Sequence, residues 1–129
     1  MKITGLNHIT INVTDLEASK AFYEQVLDLK PCGYIDMGDH QLTYYQLPQN
    51  VRLELITYDD PHPTRTNGVM DKGIYRHFCL ESDDLDEIFD ACKKFGATVT
   101  KEPGYIEKLE CDNMLILDPN GVEVEIIKK

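Results

Sequence analysis

The sequence predicts an α+β fold made of two tandem β-α-β-β-β modules, and three observations carry that expectation. The chain is written twice at a nearly constant offset. Each half has one segment of helical period behind an acidic start. Each half also ends in a run of strand alternation with a carboxylate at its middle, VRLELI at 51–56 and GVEVEII at 121–127.

The duplication is read by aligning NHITINVTDLEASKAFYEQVL (7–27) with RHFCLESDDLDEIFDACKKFG (76–96). His8 and His77 are 69 positions apart, as are Leu16 and Leu85; Gly33 and Gly104, each opening a GYI, are 71 apart, as are Glu54 and Glu125. One insertion of two residues after the second helix reconciles all four matches, and self-similarity at a fixed period is the mark of a repeated structural unit.

Each element follows in order. The first strand of each half starts at His8 or His77, with Ile9 and Ile11, or Phe78 and Leu80, on the face opposite the histidine. Thr14 with Glu17 fits a helix capping box, and Asp83 with Asp86 occupies the corresponding places. The first helix, about 15–28, buries Leu16, Phe22, Tyr23, Val26 and Leu27; the second, about 84–95, places Leu85, Ile88, Phe89, Cys92 and Phe95 on one face and stops at Gly96. Strands follow at about 31–37, 41–47 and 51–57, and at about 97–103, 113–117 and 122–127, with DPNG as the turn before the last. The modules run about 1–58 and 74–129 within one domain of 129 residues, joined by 59–73, where YDDPHPTRTNG (58–68) lacks periodicity.

Composition excludes several classes. The formal net charge is −10, from 23 acidic and 13 basic residues, and no Lys/Arg cluster interrupts it. Phosphate neutralisation needs a basic face, so no nucleic-acid partner is expected. MKITGLNHITI has no long apolar run, and no stretch approaches the roughly 18 apolar residues of a membrane span. Cys32, Cys79, Cys92 and Cys111 form no C-x-x-C pair, which leaves a thiolate zinc site unsupported. Cys79 and Cys92 lie in apolar runs and are expected to be buried thiols, and the expected compartment is the reducing cytoplasm.

A Glu at mid-strand is usually a solvated residue of a half-wet sheet. Here it recurs at equivalent places with an equivalent histidine. Pairing of the two halves about a pseudo-twofold axis would gather His8, Glu54, His77 and Glu125. Two imidazoles and two carboxylates suit one divalent ion (Ni, Zn, Co, Mn or Fe), and the lack of cysteine argues against a closed structural zinc. His40 and His62 have no repeat counterpart and are read as surface residues of turn or linker. Glu123 shares the face of Glu125 but corresponds to Arg52, so it ranks second.

HITINVTDLEASKAFYEQVLDL, VRLELITY, YRHFCLESDD and DPNGVEVEII resemble the glyoxalase I / bleomycin resistance / extradiol dioxygenase superfamily, also called vicinal oxygen chelate proteins, over essentially the whole chain. The resemblance implies paired modules curled into a metal-binding cup, with the glyoxalase I ligands falling on His8, Glu54, His77 and Glu125. It implies a metal-dependent lyase or isomerase, lactoylglutathione lyase-like, moving a proton through a metal-stabilised enediolate of a small carbonyl or hemithioacetal-like substrate. Glu125 is then the first choice of base and Glu54 its partner. A related epimerase on an acyl-CoA or sugar-like compound, and a non-catalytic small-molecule-binding resistance protein, are the alternatives. A homodimer is expected, from members' habit and from the exposed sheet edges. Two positions depart from the glutathione-using pattern: Asn12 stands where Arg is usual, and Tyr58 where Asn is usual.

Overall fold

The computed structural model describes residues 2–60 and 75–129. The first unit runs β1 (His8–Asn12), α1 (Leu16–Gln25), β2 (Lys30–Asp36), β3 (His40–Gln46) and β4 (Arg52–Tyr58); the second runs β5 (Phe78–Glu81), α2 (Leu85–Phe95), β6 (Thr98–Ile106), β7 (Cys111–Leu117) and β8 (Glu123–Lys128). Each unit forms a four-stranded mixed sheet, ordered β1-β4-β3-β2 and β5-β8-β7-β6, in which the first strand lies parallel to the last. The two sheets and two helices give the expected α+β fold of paired β-α-β-β-β units. Most of the expected linker, 59–73, lies outside the described residues, and so does His62.

Both helix starts fall one residue later than the capping boxes placed them. Asp15, in extended backbone, accepts from Ala18 N–H at 3.1 Å, and Asp84 does the same for Glu87 N–H at 3.1 Å. A carboxylate at the cap satisfies a free amide and meets the positive end of the helix dipole, so Asp15 prevails over Thr14; of the two carboxylates before α2, Asp84 is the one next to Leu85, where the helix starts. The helix α1 ends at Gln25 rather than 28, because Asp28 turns left-handed at φ 53° and Leu29 N–H reaches back to Tyr23 O. Gly96 closes α2 at φ 83°, a conformation that a side chain resists. β6 runs on through Pro103 to Ile106, with register breaks near Lys101 and Gly104. As an edge strand bonded to β7 alone, it can spare the missing donor.

One apolar cluster joins the two units. Leu53, Leu55, Tyr45 and Ile11 of the first sheet are buried with Val124, Ile126, Met114 and Ile116 of the second. The helices lie in this shared core, where the rings of Phe22 and Phe95 meet edge-on with centroids 6.0 Å apart. Each sheet therefore turns its apolar face to the common core and its other face away from it.

A polar clamp ties the units together. Asp118, buried in the DPNG turn, accepts from Tyr23 O–H of α1 at 2.8 Å and from the amides of Asn120 and Val122 at 2.8 Å each. Asn120 Nδ2 also donates to Ser19 Oγ at 3.0 Å. Desolvation, and then the Asp118 carboxylate, push the Tyr23 phenol well above its ordinary range. Asp118→Ala orphans several buried donors at once, so it should cost about 3 kcal/mol. Tyr23→Phe should cost about 1 kcal/mol, and the double variant less than the sum, because the two side chains share one bond. Urea unfolding of the three proteins measures this; additive losses would show that the clamp does not couple the units.

Candidate active site

In the first unit the pleat puts His8, Thr10 and Asn12 on the face away from the core, beside Arg52, Glu54 and Ile56 of β4. The buried Glu54 carboxylate is held at both oxygens. Oε1 accepts from Thr10 Oγ1 at 3.0 Å, and Oε2 accepts a short bond from Tyr44 O–H. That bond, more than desolvation, raises the Tyr44 phenol above its ordinary range. The Arg52 guanidinium lies over the Tyr44 ring, 4.1 Å from its centre. His8 is exposed, with Nδ1 2.7 Å from Asn7 Oδ1. Asn12 and Tyr58 meet each other, Tyr58 O–H donating to Asn12 Oδ1 at 2.9 Å. His40, expected in a turn, opens β3 instead and stacks on Tyr58 with centroids 5.8 Å apart.

In the second unit His77, just before β5, stands between two carboxylates. Nδ1 is 3.1 Å from Glu123 Oε1, and Nε2 is 3.4 Å from Glu125 Oε1. Glu123 is also bound by Arg76 Nη1 at 2.7 Å, and Glu125 Oε2 accepts from Asn113 Nδ2 at 3.0 Å. Burial alone would raise the Glu125 pKa. The hydrogen bonds from Asn113 and Cys79, with the nearby His77, outweigh it and hold the carboxyl below its ordinary range. Cys79 is exposed rather than buried: in register with Glu125, it lies on the open face, not among the apolar residues that flank it in sequence. Desolvation of the sulfur, then the Glu125 carboxylate, push its thiol up to about 12.

The chain thus brings His77 and Glu125 together and sets Glu54 on the equivalent face of the other sheet, two residues along from the level of His8. It does not gather all four: among the described residues, no three His, Cys, Asp or Glu side chains converge to hold a metal ion. The reason is the shared core, which takes the helix-facing side of each sheet and leaves the two Glu-bearing faces apart. Each unit offers half a donor set. The donors present, imidazole with carboxylate, fit a divalent ion of the borderline class. Asn113 Oδ1, buried without a partner next to Glu125, is a further oxygen awaiting a donor or cation.

The groups that hold the two carboxylates were not singled out from the sequence. The offset of 69 contained part of that signal: it sets Cys79 in the place of Thr10, and both are the strand partners of the mid-strand Glu. Tyr44 and Asn113 reach Glu54 and Glu125 from neighbouring strands, which no single-strand pattern reveals.

The family model described as Glyoxalase/Bleomycin resistance protein/Dioxygenase superfamily matches residues 5–126. A lactoylglutathione lyase of Neisseria meningitidis is 26% identical over 124 residues, covering 96% of this chain and 90% of its own length. An ethylmalonyl-CoA/methylmalonyl-CoA epimerase of Cereibacter sphaeroides is 34% identical over 106 residues, 75% of each chain. The crystal structure of glyoxalase I from Zea mays superposes with a TM-score of 0.79 at 20% identity, covering 96% of this chain and 44% of that one.

Because the Glu125 pKa is depressed by folding, its contribution to stability is present above the ordinary value of 4.5 and is lost as pH falls through the lowered folded value. Asn113→Ala removes one of the bonds that depress it and should raise the Glu125 pKa towards or past that ordinary value. Carboxyl carbon NMR titration of the two proteins checks this; an unchanged or lower value in the variant would contradict the role given to Asn113.

Proposed function

The chain belongs to the glyoxalase/bleomycin resistance protein/dioxygenase superfamily, and from that premise we propose that it is a metal-dependent lyase or isomerase of the glyoxalase I type, acting on a small carbonyl or hemithioacetal-like substrate. The observation that carries this reading is the pairing of His77 with a Glu125 carboxylate held below its ordinary range, matched by Glu54 at the equivalent place of the other sheet. A protein that merely sequesters a compound needs no such pair of matched carboxylates.

His8, Glu54, His77 and Glu125 would hold one divalent ion. When bound, it supplies Lewis acidity to the oxygens of a carbonyl substrate. Glu125 serves as the base that takes a proton from the carbon beside the carbonyl, being ionised at neutral pH and more exposed than Glu54. Glu54, fixed by Thr10 and Tyr44, is its counterpart on the opposite side of the substrate. Since the four do not meet in one chain, the site is completed by a second copy, one contributing His8 and Glu54 and the other His77 and Glu125. The seven residues of β2 are all exposed, Tyr34 and Ile35 among them, and so is Met37 just beyond the strand, a surface suited to such a homodimer.

A second reading, an acyl-CoA epimerase, is favoured by the likeness to the Cereibacter sphaeroides enzyme. It uses the same proton chemistry and returns the proton to the same carbon. Asn12 and Tyr58, bonded to each other across the open face through Asn12 Oδ1, stand where the glutathione-using pattern has Arg and Asn. Compounds other than glutathione adducts therefore come first in the substrate screen.

Three outcomes test the reading. Glu125→Gln should keep metal binding and lower turnover by about 10²–10⁴-fold, followed as solvent-deuterium exchange into substrate by NMR; full turnover would remove Glu125 as the base. His8→Ala and His77→Ala should each lose tight Ni or Zn binding with circular dichroism unchanged. Mixed and allowed to exchange subunits, the two inactive variants should recover binding, because a heterodimer regenerates one intact site. Failure to recover, or a monomer by light scattering, would sink the shared site.

A further inference from the structure

Among the described residues Glu123 poses a separate problem. Its side chain is 4% exposed, yet both carboxylate oxygens face donors, Oε1 to His77 Nδ1 and Oε2 to Arg76 Nη1. A buried carboxylate is costly unless it is paired and hydrogen-bonded, and Arg76 supplies that compensation. Glu123 is nearer His77 than Glu125 is, at 3.1 Å against 3.4 Å, but its oxygens are occupied, whereas Glu125 is 18% exposed and has Arg76 on neither oxygen. The two neighbouring carboxylates therefore have different tasks.

We propose that Glu123 is a positioning residue for His77: it accepts the hydrogen of Nδ1, so that Nε2 keeps its lone pair and faces Glu125, while Arg76 clamps Glu123 in place. An ionised carboxylate only accepts hydrogen bonds, and of the two ring nitrogens that face one, Nδ1 makes the closer contact, 3.1 Å to Glu123 against 3.4 Å from Nε2 to Glu125, so the single hydrogen of the neutral ring sits on Nδ1. A neutral ring then has its free lone pair on Nε2. Imidazoles that bind metals characteristically give their other nitrogen to a carboxylate or carbonyl in this way, which fixes the ring and strengthens it as a donor.

The first unit is an internal comparison. The places equivalent to Arg76 and Glu123 hold Asn7 and Arg52. His8 Nδ1 rests on the neutral Asn7 oxygen at an exposed position, without a buried anion behind it. The repeat thus yields two histidines of the same placement and unequal support, with His77 the more firmly held of the two.

The importance of this contact for metal binding rests on the function proposed above, but the contact itself can be tested without it. In the metal-free protein at a pH where His77 is neutral, long-range ¹H–¹⁵N correlation spectra should show the Nδ1–H tautomer for His77. Glu123→Ala should shift it towards Nε2–H and weaken Zn(II) binding, measured by competition with a chelating dye, by about 10–100-fold. Glu123→Gln keeps an oxygen acceptor and should retain the tautomer and most of the affinity. An unchanged His77 tautomer in Glu123→Ala overturns the proposal. If His77→Ala binds Zn(II) as tightly as the unaltered protein, the metal reading falls, and the tautomer measurement alone decides for or against Glu123.

Discussion

The structure depends on one constraint, the pleat of two short strands anchored by their apolar residues. Leu53 and Leu55 in β4, and Val124 and Ile126 in β8, are essentially without exposure in a core that both units share. Burying each such side chain fully stabilises the fold by roughly 1.5–3 kcal/mol relative to leaving it in water. A slip of one residue would forfeit all four contacts and drive Glu54 and Glu125 into the core. The register of each strand is therefore tightly held, and each Glu is aimed as firmly as the hydrophobic residues on either side of it.

The same constraint sets Glu54 and Glu125 on the faces of their sheets that turn away from the shared core. The apolar surface of each sheet is taken up by the core it shares with the helices and the other unit, and the carboxylate-bearing faces lie on the other side. What the duplication supplies is a matched pair of surfaces on one molecule. A closed twofold arrangement of two such molecules can bring unlike halves together twice, and an isologous interface of this kind needs no new sequence. The two halves are not copies in detail. Glu54 is fixed by two hydroxyl donors and buried, while Glu125 accepts from the Asn113 amide, lies beside His77 and is partly open.

Much of the fold was legible in the sequence because its cues are local and occur twice. The Leu16–Val26 and Leu85–Phe95 spacings, Gly96, and the DPNG turn each specify a short stretch through its own stereochemistry. The errors were also local. The caps moved from Thr14 and Asp83 to Asp15 and Asp84, since several acidic or hydroxyl residues in a row compete for one amide and only the helix start decides among them. Cys79 was misplaced because an apolar neighbourhood in sequence says nothing about the face of a strand, and period two sends Cys79 outward between Phe78 and Leu80. The histidines and carboxylates of the candidate site stood out through the offset between repeats. Tyr44, Asn113 and Arg76 did not, because each acts across strands or across a tight corner, and such contacts exist only after pairing.

Charge placement on the open faces bears on which substrates can approach. The protein is strongly acidic, yet on the first sheet Arg52 is not spent in an ion pair with Glu54; it lies over the Tyr44 ring. On the second sheet Arg76 is committed to Glu123. Arg52 is thus a guanidinium on the same face as Glu54 that makes no ion pair with a carboxylate among the described residues. A ring-stacked Arg presents its edge to planar anionic groups. An anionic group approaching this face would meet that guanidinium beside the Glu54 carboxylate. A long polyanion would gain from Arg52 at one point and meet repulsion from the acidic surface elsewhere. The single guanidinium and the acidic surface around it thus act in opposite directions on an approaching anion.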